Sequence, residues 1–181
     1  LQKLPDGTMG TTISNPTNEK RVFIRTGGNY YAAIHTHPNT AYPMFSWSDV
    51  YTLYMLHQEK EIHNADMMAS FLLVCQDDNG VFQTYAITFD DVGTTLDQFF
   101  NNPENIGCSH VEIVKEMDNK LKKEFDKESL QSSPNYERVF LQANFGLSVS
   151  LFKANADLNN WSKLSISNNS NNETVNSINC N

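Results

Sequence analysis

Apolar and polar positions change period several times along the chain. Residues 1–29 carry two short β-prone runs, MGTTIS and RVFIRT. Turn signals at Asp6–Thr8, Asn15–Pro16 and Gly27–Asn29 separate them. They lead into YYAAIH, where Tyr30, Tyr31 and Ile34 favour an extended strand. This pattern predicts an antiparallel β-meander with YYAAIH as its last member. From residue 46 to 60 the spacing becomes helical. Trp47, Val50, Tyr51, Leu53, Tyr54, Met55 and Leu56 form a broad apolar face, so this helix should be mostly buried against a sheet. MMASFLLVCQ, residues 67–76, reads as a buried strand. The DDNG turn at 77–80 then leads to a return strand at 81–89.

A short helix is predicted over 94–102, ended by Asn101-Asn102-Pro103. A long amphipathic helix follows from 109 to 131, with Val111, Val114, Met117, Leu121 and Phe125 on one stripe. Ser132-Ser133-Pro134 breaks it, and a further helix over 135–145 ends at Gly146. LSVSLFKA, from 147, alternates as a strand, and Trp161 with the LSIS run adds an edge strand. The last segment, 168–181, contains seven Asn and reads as a disordered tail unless Cys180 ties it down. The expected architecture is α/β in the α+β sense: a mostly antiparallel sheet with helices packed on it. One domain is expected over 1–167, followed by the Asn-rich tail.

Composition narrows the function classes. The chain has 181 residues, 39% hydrophobic and 19% charged, enough to bury a core without disulfides. A net charge of −8 argues against a nucleic-acid surface, which needs clustered Lys and Arg, but leaves a basic partner or substrate open. No stretch is long and apolar enough to suggest a membrane span. Three cysteines show no CxxC spacing, which excludes a zinc ribbon and the cysteine ligands of a zinc deaminase. Cys75 sits in an apolar run and reads as core. Cys108 and Cys180 could pair only if the fold brings them together. His57 and His63 read as polar helix-end residues. Asp77, Asp78, Asp90 and Asp91 read as solvated turn carboxylates, since EF-hand spacing is missing.

The candidate chemistry lies in residues 35–49. On a strand, His35 and His37 point to one face and Thr36 to the other. Pro38 ends the strand, leaving both imidazoles at its tip. Ser46 is a suitable N-cap for the next helix. Asp49 falls in the first turn of that helix, where its dipole favours a carboxylate. Two His and one Asp form a complete protein ligand set for a catalytic zinc that keeps a fourth position open. Alone, either half is commonplace: surface histidines at a strand end, or a Ser-x-x-Asp helix start.

HTHP, a short loop and SWSD together resemble the JAMM (JAB/MPN-type) metalloprotease signature over residues 35–49. The loop is one residue longer than the usual spacing. The resemblance is greatest to JAMM-like domains at the C-termini of bacterial secreted or polymorphic-toxin-like proteins, so a larger secreted protein is one implied setting. It implies a curved sheet flanked by helices, related in shape to the cytidine deaminase fold. It also implies Zn2+ on His35, His37 and Asp49, with Ser46 as the catalytic residue that helps hold the oxyanion. The implied activity is hydrolysis of a peptide or isopeptide bond in a protein or peptide substrate. A nucleic-acid-directed branch of the family fits poorly, because the charge is wrong for DNA. The family's general base is a Glu on an earlier strand. Upstream of His35 the only Glu is Glu19, in the turn-like NPTNEK and poorly placed. The base is therefore expected on a segment outside these residues, or lost. Loss would leave a JAMM-like binding module without turnover. A third reading makes the histidine pair incidental and predicts that His35, His37 and Asp49 do not converge.

Overall fold

The structure, a computed structural model, describes residues 1–4, 6–10, 24–27, 29–62, 68–90, 94–103, 107–144, 146–169 and 172–180. In chain order these form β1 (Ala32–Thr36), α1 (Trp47–Ile62), β2 (Ser70–Gln76), β3 (Phe82–Phe89), α2 (Thr94–Phe100), α3 (His110–Glu128), α4 (Tyr136–Ala143), β4 (Val149–Ala154), β5 (Trp161–Asn169) and β6 (Asn172–Asn179). The strands make one six-stranded sheet in sequence order, β1 to β6. Every ladder is antiparallel except the first, so the expected mixed fold with a mostly antiparallel sheet is present.

The exception is informative. β1 runs parallel to β2, with His35 opposite Leu73. The antiparallel meander expected to lead into β1 falls mostly outside the described residues. β1 stands at one end of the sheet, and α1 carries the chain back so that β2 enters in the same direction. A helical crossover is what parallel neighbours require. Among the described residues before β1, isolated bridges join Gln2 to Tyr30 and Lys3 to Met9. Most of MGTTIS and the first half of RVFIRT lie outside the described residues, as do Glu19, His63 and Asp91, while Ile24–Thr26 are not in a strand.

One hydrophobic cluster joins the helices to the sheet. α1 contributes Trp47, Val50, Leu53 and Leu56, all fully buried, as its broad apolar face predicts. β2 contributes Phe71, Leu73 and Cys75, the alternate residues that face the helices. α1 packs on β2 and β3, α4 packs on β5 and β6, and α3 touches both helices. α3 starts with a reciprocal capping box between Ser109 and Glu112, a Ser-x-x-Glu signal present in the sequence. Its buried stripe is Ile113, Val114, Leu121 and Phe125. Val111, expected on that stripe, is exposed.

The Asn-rich tail is not a disordered segment in the structure. Asn172–Asn179 pairs antiparallel with β5 along its whole length. Polar cross-strand contacts hold it: Ser162 Oγ donates to Asn179 Oδ1 at 2.8 Å, and Ser167 and Thr174 hydroxyls meet at 2.9 Å. Glu173 reaches Gln142 and Arg138 on α4. Cys108 and Cys180 are free and exposed, so they form no disulfide, and Cys75 is buried in the core as expected. Burial pushes the Cys75 thiol up to about 11, which suits an inert core residue.

Candidate metal centre

The site begins with strand alternation. His35 and His37 sit two apart on β1 and beyond its end, so both rings turn toward the helix-facing side of the sheet. The His35 ring stacks on Phe71, with centroids 4.8 Å apart and planes inclined by 11°. Phe45 lies 6.3 Å away on another side. The loop after Pro38 is anchored by Met44 and Phe45, both buried, and delivers the chain to α1.

At the start of α1, Ser46 and Asp49 form a reciprocal cap. The Asp49 amide donates to Ser46 Oγ at 3.2 Å. The Ser46 amide and hydroxyl donate back to Asp49 Oδ2 at 2.7 and 2.8 Å. Asp49 Oδ1 is left to face His35 Nε2 at 3.4 Å. His37 Nε2 lies 3.0 Å from His35 Nε2 and 4.0 Å from Asp49 Oδ2. One donor atom from each of the three residues falls within 4.8 Å of the others. The side chains are 7%, 18% and 12% exposed for His35, His37 and Asp49.

Two details bear on whether a cation fits. His37 Nδ1 sits 2.8 Å from the Tyr42 carbonyl. A carbonyl can only accept, so Nδ1 carries the proton and Nε2 presents its lone pair to the group. A tetrahedral zinc with Zn–N distances of about 2.0–2.1 Å spaces its ligand atoms roughly 3.3 Å apart. The 3.0 and 3.4 Å separations around His35 Nε2 are close to that value. Burial lowers the His35 pKa below its ordinary 6.5, Asp49 partly opposes this, and His37 adds to it. The ring is thus held neutral, as a ligand must be. His35 Nδ1 is buried without a hydrogen-bond partner. The Leu72 backbone lies near enough to favour a proton on this ring, yet short of hydrogen-bond geometry. The donor set is able to hold a metal ion. Compared with protein-family models, curated proteins and solved structures, the chain matches none.

All four residues singled out in the sequence therefore meet in one place. Tyr42 was not singled out; its carbonyl orients His37, and nothing in a lone loop tyrosine signals that role. His57 differs from its expected place as a polar helix-end residue. It is buried, its ring edge-on to Phe89 with centroids 5.5 Å apart. Asp77 is not simply solvated: it caps its own turn, accepting from the Asn79 and Val81 amides at 2.9 Å each. Asp90 pairs with Lys163 at 2.8 Å. Among the described residues no second acid joins the histidine–aspartate group.

A cleft of about 630 Å³ opens beside the group, and both His37 and Ser46 line it. Tyr42, Asp118 and Tyr136 form parts of its wall.

Proposed function

We infer that this chain is a JAMM-type metallopeptidase or isopeptidase domain that holds Zn2+ on His35, His37 and Asp49. The observation that carries this reading is their convergence beside a cleft, in the order and on the elements of the JAMM signature. Zinc in such a site acidifies water to a pKa of about 7 and polarises a carbonyl. The chain's own residues prepare that chemistry. Tyr42 fixes the His37 tautomer, Ser46 takes up one Asp49 oxygen and leaves the other free, and burial keeps His35 neutral. Ser46 lines the cleft, and its hydroxyl now donates to Asp49 Oδ2. Turned toward a bound amide, the same proton would stabilise a developing oxyanion, a contact worth about 3 kcal/mol.

The same fold used for binding without turnover is the second reading. It is favoured by one observation: no glutamate joins the group among the described residues. Elemental analysis of the purified protein, beside a His35→Ala/His37→Ala control, tests the metal. About one zinc per chain, lost in the control, supports both readings, and amide hydrolysis by the loaded protein separates them. Absence of metal in both proteins after zinc addition would leave the histidine pair incidental.

A further inference from the structure

The cleft beside the metal group has a chemical character of its own. Its floor is aromatic. Tyr42, Phe125 and Tyr136 pack as a triad with centroids 5.2 to 5.7 Å apart, and all three line the cleft. Its charge is unbalanced. Lys122, on the wall, is paired with Asp126 at 3.0 Å. A second chamber of about 490 Å³ shares Pro43, Met44, Asp78 and Tyr136 with the first, so the two form one trough. Its cation, Lys153, is paired with Glu137 at 2.8 Å. Both lysines that line the trough are therefore neutralised.

Two of the carboxylates on its walls, Asp78 and Asp118, are not. Asp78 borders both chambers, is exposed, and makes no hydrogen bond or ion pair among the described residues. Asp118, on α3, accepts from the Ser48 amide and hydroxyl and makes no ion pair among the described residues. We propose that this trough receives a basic side chain, lysine or arginine, of an extended polypeptide, seated on the Tyr42–Phe125–Tyr136 floor with its cation against Asp78 and Asp118. A cation over aromatic faces with a carboxylate at hand is favourable, most of all for a group whose long stem is apolar. The volume admits such a side chain and the backbone that bears it. Tyr42 links the two functions: its ring is part of the floor, and its carbonyl orients His37. The occupant's backbone therefore lies beside the metal group. This subsite rests on the peptidase reading for its purpose, but not for its chemistry.

The test uses the zinc-treated full chain and N-acetylated pentapeptide amides that differ only in a central arginine, norleucine or glutamate. Binding is measured by calorimetry, with peptide integrity checked by mass spectrometry. Arginine should bind about tenfold more tightly than norleucine, with glutamate weakest. Asp78→Asn should cut that preference to about threefold, and Asp78→Lys should shift it toward glutamate, with zinc content unchanged in both. Equal affinities for arginine and norleucine overturn the proposal. So does a preference untouched by both variants, or no binding of any peptide at roughly millimolar concentration. Zinc content read on the same samples separates the two claims. Zinc without the preference sinks the subsite alone, and the preference without zinc sinks the metallopeptidase reading alone.

Discussion

Asp49 serves two masters, and its two oxygens divide the work. One closes the helix cap with Ser46, and the other faces His35. Ser46→Ala should cost about 1 kcal/mol of stability through the lost cap. It should also weaken metal binding, because Asp49 loses the donor that orients it. Ser46→Thr keeps the cap and should restore both. Zinc titrations of the two variants check this, and equal affinities in alanine and threonine forms would remove Ser46 from the support of the site. His35 shows the opposite trade. Its ring stacks on Phe71 and buries an unpartnered Nδ1, a cost of about 1–3 kcal/mol. His35→Phe keeps the stack and removes that nitrogen. The metal-free variant should therefore be more stable than metal-free wild type by about 1 kcal/mol in urea unfolding, yet bind no zinc. Lower stability would show that the ring is partnered in solution. The pH dependence follows from the same burial. The folded pKa of His35 lies below 6.5, its ordinary value in the unfolded chain. The unfolded chain therefore takes up a proton that the folded one refuses. The stability of the metal-free protein is retained above that pH and declines as pH falls from 6.5 through the lower folded value. Urea midpoints between pH 7.5 and pH 5 should fall further for wild type than for His35→Phe, since only wild type carries this group.

At the scale of elements, the periodic segments were legible and the pairings were not. α1 and α3 follow from helical spacing of apolar residues, and β2 and β3 from an apolar run, an Asn-Gly turn and a second run. The parallel entry of β2 was also within reach, because a strand, a helix and a strand in succession permit it. Composition hid β6. Among its described side chains Val175 packs against the core, and further support comes from the ladder with β5, from β5 hydroxyls and from Arg138 and Gln142 of α4. Such partners are distant in sequence, and a window rich in Asn carries no trace of them. The strand therefore has a structural role that a disordered tail would lack. Deleting residues 170–181 should lower the melting temperature by about 5 °C or more, the equivalent of roughly 2 kcal/mol in a domain of this size. Hydrogen exchange should also find the β5 amides protected in the full chain and exchanging in the deletion. An unchanged melting curve would mean that β6 does not pair in solution. The site was legible for a different reason. Its ligands lie within fifteen residues of one another, so strand alternation and a helix cap suffice to bring them together, whereas the cleft opposite needs α3 and α4 and left no local signal.

For the whole molecule, the group ties the far tip of β1 to the first turn of α1, whose Trp47 and Val50 belong to the core. A ligand that binds the folded chain and not the unfolded one stabilises it by mass action, about 4 kcal/mol at a thousandfold excess over its dissociation constant. In a domain of this size that amounts to about 10 °C in melting temperature. The shift should grow with the logarithm of free zinc, collapse on chelation, and vanish in His37→Ala, which removes the lone pair that Tyr42 aims at the group. The variant also separates this site from adventitious ones. The chain has an acidic surplus, a net charge of −8, and scattered carboxylates bind divalent cations weakly wherever they meet. Weak surface binding would shift wild type and His37→Ala alike. A shift confined to wild type can come only from the histidine–aspartate group, because that is the one place the substitution touches. Differential scanning calorimetry of both proteins across a zinc series reads the difference directly, and equal shifts would move the metal off β1 altogether.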